Sequence, residues 1–149
     1  MSQYGSRHLQ RGSTVVEFAL ISIVFVTLLM AIIELGRWMY TLEMAADATR
    51  AGARKAVVCD MNDSTIKAEV QGRVPQLSLS NAQVSLQYFP AGCTKANCES
   101  VTVSITDATF TPAIPFLMGA FPIPPFTTSL PRESLESVNA AGEVNPVCV

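Results

Sequence analysis

Arg11-Gly12-Ser13-Thr14-Val15-Val16-Glu17-Phe18-Ala19-Leu20 opens an apolar run that continues almost unbroken to Ile33. From Ser13 to Ile33 the chain has 21 residues, and Glu17 is their only charge. At the rise of an α-helix this length spans roughly 30 Å, the thickness of a bilayer's hydrocarbon core. A carboxylate near hydrocarbon is costly and normally has both a function and a partner. Thr14-x-x-Glu17 also fits a capping box, in which the Glu side chain satisfies a free N–H at a helix start. A cap explains neither the four apolar turns that follow nor the Gly12 and basic tail that precede. Cleavage after Gly12 would create an ammonium group on Ser13, one helical turn from Glu17. Gly12 gives a peptidase unobstructed access to the backbone, and Ser13 supplies a small new N-terminus. Glu17 then neutralises an ammonium, its own or that of a neighbouring subunit. In low dielectric such a pair repays its desolvation only in good geometry, so it favours one axial register.

A cleaved secretory signal is the obvious competitor. Its apolar region would be shorter and would end in a small-x-small site, whereas here Ile32-Ile33-Glu34-Leu35-Gly36-Arg37 follows. Orientation is not decided by Lys and Arg alone: Arg7 and Arg11 precede the run, and Arg37 and Arg50 follow it. All four cysteines, Cys59, Cys93, Cys98 and Cys148, lie beyond the run, which places that side in an oxidising compartment and the tail in the cytoplasm. The 149 residues, with net charge −2 and only ten scattered Lys and Arg, amount to one domain and argue against nucleic-acid binding.

Residues 1–12 read as an unstructured cytoplasmic leader and residues 13–35 as a transmembrane helix that starts near Ser13 or Thr14. Residues 36–58 continue it as an amphipathic helix, with Leu35, Trp38, Met39, Leu42, Ala45, Ala46, Thr49, Ala53 and Ala56 at helical spacing. Glu34–Arg37 and Asp47–Arg50 are favourable i,i+3 pairs. Trp38 and Tyr40 directly follow the run and read as an aromatic belt at the membrane interface.

Residues 59–149 read as an extracytoplasmic α+β head. Ser64 is placed to cap a short helix with Ile66, Val70 and Val74 on one face, ended by Pro75. Val84, Leu86 and Tyr88, then Val101, Val103 and Ile105, alternate with polar or outward residues as two strands of an antiparallel hairpin. Phe126–Leu130 is a third strand candidate. Residues 111–125 hold five of the nine prolines and read as an irregular Pro-rich loop, with one helical turn at Phe116–Gly119. Phe110, Phe116, Phe121 and Phe126 offer a partner surface as one reading, and folding back as core is the favoured one. From Asn139 onward, order is expected only where Cys148 holds the chain. Four cysteines allow three pairings. Cys93–Cys98 closes a six-residue loop and is the favoured local bridge, leaving Cys59 with Cys148. A four-thiolate zinc site is the weaker alternative, so no metal or cofactor is expected.

The single histidine, His8, falls in the proposed leader, so Ser–His or Cys–His catalysis is not available to a processed chain. Nor is there a phosphate-binding loop or dinucleotide fingerprint. The chain therefore reads as a non-enzyme.

Arg11-Gly12-Ser13-Thr14-Val15-Val16-Glu17-Phe18-Ala19-Leu20, Ile33-Glu34-Leu35-Gly36-Arg37 and Ala51-Gly52-Ala53-Arg54 together resemble the TadE-like family, pseudopilins of the tight-adherence (Flp, type IVb) pilus system. Val101–Ile105 and Pro131-Arg132-Glu133 are similar to the family's C-terminal half. Ser13 replaces the commoner Ala after the scissile bond. The resemblance implies a pilin-like α+β fold and cleavage after Gly12 by a prepilin peptidase of the bacterial inner membrane. It also implies dependence on the Tad assembly platform, other pilins and pseudopilins as partners, and a part in adherence and biofilm formation. The chain is longer than a short major pilin, which points to a minor pilin. The rival is an uncleaved single-pass scaffold or sensor of the same secretion complex; a third is a surface adhesion module.

Overall fold

In a computed structural model, residues 10–114 and 119–149 are described. Helix α1 runs Gln10–Ala56 and α2 runs Ser64–Arg73. Five strands follow: β1 (Val84–Phe89), β2 (Ser100–Ile105), β3 (Thr109–Phe110), β4 (Phe121–Pro122) and β5 (Phe126–Pro131). The fold is α+β, a long apolar N-terminal helix followed by a small antiparallel head. The chain divides into two compact units, one ending at Arg37 and one comprising Trp38–Val149.

The first unit is helical from Gln10. The helix was expected to start at Ser13 or Thr14; it begins earlier because a single Gly costs only about 1 kcal/mol in a helix and no proline intervenes. Fourteen large apolar side chains between Val15 and Ile33 are exposed on every side of the helix, from Met30 at 41% to Phe18 at 72%. A helix apolar all round is a buried or membrane-spanning one. By length and composition α1 suffices to cross a membrane.

In the second unit, the sheet order is β1-β2-β5 with both pairings antiparallel. Val84 faces Ile105 and Phe89 faces Ser100 across the first pair, and Ile105 faces Phe126 across the second. Val101, Val103 and Ile105 point into the core, completely buried. The other face is laced by hydroxyls, Ser85 to Ser104 at 2.7 Å and Thr102 to Ser129 at 3.0 Å.

Thr41, Ala45, Ala48, Thr49, Gly52, Ala53 and Ala56 of α1 are buried. Their spacing of three and four residues makes one helical stripe. The stripe is built almost wholly of small residues, which lets the helix sit close to its neighbours. Gly52 marks the closest approach: a Cβ there would lie 2.4 Å from Val70 Cγ2 and 3.4 Å from Val103 Cγ1. Thr49 Oγ1 meets Thr128 Oγ1 of β5 at 3.0 Å, a polar pin inside an apolar contact. Leu35 and Met39, expected on the packed face, are exposed, while Trp38 and Leu42 pack partly against the core.

Helix α2 buries Ile66 and Val70 completely, and Val74, its C-cap, is buried with them, the face the spacing predicted. Its cap is Asp63 and not Ser64: the Asp63 carboxylate accepts the Thr65 N–H at 2.9 Å. A carboxylate at that position also complements the positive helix end. The expected Asp47–Arg50 pair is replaced by a tertiary one. Arg73 of α2 reaches Asp47 at 3.2 Å while its Nε donates to Glu69 at 2.7 Å.

The Pro-rich segment is less irregular than its composition implied, since Phe121–Pro122 pairs with Thr109–Phe110. Phe110 is core, Phe126 packs against the core, and Phe121 stays 39% exposed. Phe116 and most of the expected turn at Phe116–Gly119 lie outside the described residues. The tail after Asn139 is ordered by more than Cys148. Val138 bridges Val144, the Asn139 carboxamide oxygen accepts the Ala141 and Glu143 N–H groups, and Asn145 caps a final 3-10 turn at Pro146–Cys148.

Candidate functional site

In the first unit, Ser13 and Glu17 stand one turn apart on α1. Ser13 Oγ donates to Glu17 Oε1 at 3.2 Å. Thr14 lies inside the helix, one full turn past its first residue, so the capping-box reading of Thr14 and Glu17 has no helix start to act on. A Cβ on Gly12 would meet nothing within 4 Å, leaving the Gly12–Ser13 peptide bond unobstructed on that side by the described residues. Glu17 projects from the helix among apolar side chains that are themselves exposed: Val16 at 60%, Phe18 at 72% and Leu20 at 61%. An anion in that setting demands a cation or strong donors once the helix enters a low-dielectric surround. Thr27 shows how smaller polar groups are handled, with Oγ1 donating back to the Val24 carbonyl at 2.9 Å. At the far end of this unit, Arg37 Nη1 donates to both Glu34 carboxylate oxygens, at 2.8 and 3.0 Å.

The second unit holds the two aromatic residues assigned to a membrane interface. Tyr40 is 56% exposed. Trp38 packs partly against the head core, and its indole Nε1 is buried without a hydrogen-bond partner among the described residues.

The end of α1 is held by devices that only long-range structure reveals. The helix stops at Ala56, two residues short of expectation, where the Val58 and Cys59 N–H groups both turn onto the Lys55 carbonyl. Val57 O accepts N–H groups from Glu133 and Leu135 at 3.1 and 3.2 Å; Val58 O accepts the Glu136 N–H at 3.0 Å and the Ser134 hydroxyl at 3.0 Å. These carbonyls lie just past the last helical residue, where no further turn of α1 supplies donors. The Cys59–Cys148 disulfide, with Cα atoms 5.6 Å apart, fastens the chain end beside them. Cys93–Cys98 closes the β1–β2 loop, with Cα atoms 5.0 Å apart. With all four cysteines paired, none remains as a thiolate ligand for zinc.

The β1–β2 loop is tied back to the end of α1. Lys95 pairs with Asp60, and the Arg132 guanidinium donates to the Lys95 carbonyl. The Lys95 hydrogen bond holds the Asp60 carboxyl below the ordinary carboxylate range, and Asp60 in turn raises Lys95. Asp63 is lowered mainly by the Thr65 N–H. Tyr88 is raised by burial, although its hydroxyl oxygen accepts the Asn62 N–H at 2.9 Å.

Among the described residues, no cluster of His, Cys, Asp or Glu has the makings of a metal site. The first unit exposes apolar side chains from Val15 to Ile33, with Glu17 the one acidic group in that run. No curated protein and no solved structure matches the chain. A family model described as TadE-like protein matches residues 12–54, so the segment that carries Gly12, Ser13, Glu17 and the whole apolar run is similar to that family, and its helix is long and apolar enough to cross a membrane.

Proposed function

We propose that the chain is a minor pilin or pseudopilin, cleaved by a prepilin peptidase between Gly12 and Ser13 and required for assembly of a Tad/Flp type IVb pilus. It is stored in the bacterial inner membrane with residues 1–12 in the cytoplasm and the head outside. After cleavage, residues 13–35 pack into a bundle with like helices of other pilins and pseudopilins, on the Tad assembly platform. The Ser13 ammonium and the Glu17 carboxylate match charge and set axial register. The head supplies partner choice, and adherence and biofilm formation depend on the result. The role is structural; no substrate is transformed.

The observation that carries this reading is Glu17 itself, the only charge in the Ser13–Ile33 run, one turn from a residue that follows a glycine. Replacing Glu17 with Gln keeps shape and removes charge. The chain is then still made, inserted and folded, but piliation fails; normal piliation in the Glu17→Gln strain refutes the charge-matching role.

A second reading, an uncleaved single-pass scaffold or sensor of the secretion complex, is favoured by one feature: α1 runs without a break through Gly12 to Gln10. In that case the leader is retained, and Glu17 seeks its cation in another subunit.

A further inference from the structure

The turn between α1 and α2 reads Asp60-Met61-Asn62-Asp63-Ser64, which contains an Asn-x-Ser acceptor sequence with no proline at x. It is the one place among the chain's asparagines where Ser or Thr stands two residues on: Asn81, Asn97, Asn139 and Asn145 are followed there by Gln, Glu, Ala and Val. Asp60, two residues before the asparagine, completes the acidic-x-Asn-x-Ser form that bacterial oligosaccharyltransferases favour. We propose that Asn62 is an N-glycosylation site of the exported head, with a polyprenyl-diphosphate-linked oligosaccharide as the sugar donor.

The geometry separates the residues that the fold employs from those it leaves idle. Asp60 pairs with Lys95, and Asp63 caps α2 through the Thr65 N–H. Asn62 uses its backbone N–H on the Tyr88 hydroxyl. The Asn62 carboxamide and the Ser64 hydroxyl, the two groups that glycosyl transfer requires, make no hydrogen bond within the described residues, and both residues are exposed. The left-handed backbone at Asn62 (φ 61°) accounts for an asparagine, since Asn tolerates that region. It does not account for Ser64, whose capping role Asp63 has taken. The turn also lies beside Cys59, whose disulfide with Cys148 belongs to the oxidising side where glycan donors are presented.

In the transfer, Asn62 Nδ2 attacks the anomeric carbon of the donor sugar. The N–C bond forms, the bond from that carbon to the diphosphate oxygen breaks, and polyprenyl diphosphate leaves. The amide proton passes to a base of the transferase. No electrons are exchanged. The product is a bulky, hydrated group on the α1–α2 turn, which keeps that face of the head out of contacts between subunits.

The test is peptide mapping of the full chain, extracted from membranes of its natural host and of a bacterial host carrying an N-oligosaccharyltransferase with its lipid-linked glycan. After reduction, trypsin releases residues 56–67 as one peptide. A glycan mass on that peptide in both hosts is expected. It should be lost in Asn62→Gly, which keeps the left-handed backbone, and in Ser64→Ala, which leaves the Asp63 cap untouched, and retained in Ser64→Thr. An unmodified peptide in both hosts overturns the proposal. The state of the cysteines then tells whether export falls with it: oxidised cysteines leave the extracytoplasmic head standing, and free thiols remove it too.

Discussion

Among the described glycines, Gly52 is the one where an added side chain meets its neighbours. A methyl group added there sits 2.4 Å from Val70 Cγ2, about 1 Å inside ordinary contact, and 3.4 Å from Val103 Cγ1. Val70 is completely buried in α2, and its branched side chain has one strongly preferred helical rotamer, so it escapes only if α2 itself shifts. Overpacking of this kind costs about 1–3 kcal/mol. Against it stands a helix-propensity gain of about 1 kcal/mol for Gly→Ala. The balance for Gly52→Ala is a net loss of up to about 2 kcal/mol, the upper end expected because Val70 has nowhere to turn. Gly72 provides the control: it is also helical, and a Cβ there meets nothing within 4 Å, so Gly72→Ala should stabilise by about 0.5–1 kcal/mol. A Val70→Ala partner removes the clashing methyl, and the double mutant should therefore be more stable than the sum of the two single changes by about 1 kcal/mol or more. Denaturant unfolding of the detergent-solubilised full chain, followed by the fluorescence of Trp38, reads all four variants. Gly52→Ala as stable as the parent, with no coupling to Val70, would refute the packing described for α1, α2 and β2.

Three further outcomes follow from the head. Removing Cys59–Cys148 by Cys→Ala at both positions should destabilise by about 4–5 kcal/mol on loop entropy, against about 2 kcal/mol for Cys93–Cys98, because the sequence separations are 89 and 5; equal losses in unfolding midpoint would contradict that ranking. Asp63→Ala should cost about 1 kcal/mol through the lost cap, while Ser64→Ala should be close to neutral; the reverse order in thermal melts would return the cap to Ser64. Asp60 and Asp63 both have folded values below the ordinary carboxyl value of about 4. Their contribution is therefore complete above that value and is lost as pH falls through the lower folded values. Stability measured downward from neutrality should decline below about pH 4, and less steeply in the double Asp60→Asn, Asp63→Asn variant.

Much of the architecture is written in local pattern. Val84 to Tyr88 and Val101 to Ile105 alternate because one face of each strand is buried. Ile66, Val70 and Val74 recur at helical spacing for the same reason in α2. The acidic residue in the apolar run announces itself by being the wrong chemistry for its surroundings. Features that depend on distant partners are not legible in this way. Asp47 has an obvious neighbour in Arg50, yet it pairs with Arg73, which only the packing of α2 brings near. The carbonyls of Val57 and Val58 give no sign in sequence that residues 133–136 will claim them. Asn139 and Asn145 read as loop residues, and they are, but their carboxamides organise the tail into defined turns. Gly52 could have been noticed as an unexplained helix-interior glycine among alanines. At the N-terminus, Thr14 and Glu17 matched a helix start that the fold places one turn earlier.

The direct measurement is N-terminal sequencing of the chain recovered from membranes of pilus-forming cells. A processed pilin begins Ser13-Thr14-Val15, with a free ammonium one turn from Glu17. A chain that still begins at Met1 in cells whose pili assemble normally contradicts the account, since Glu17 would then have no new amine to meet.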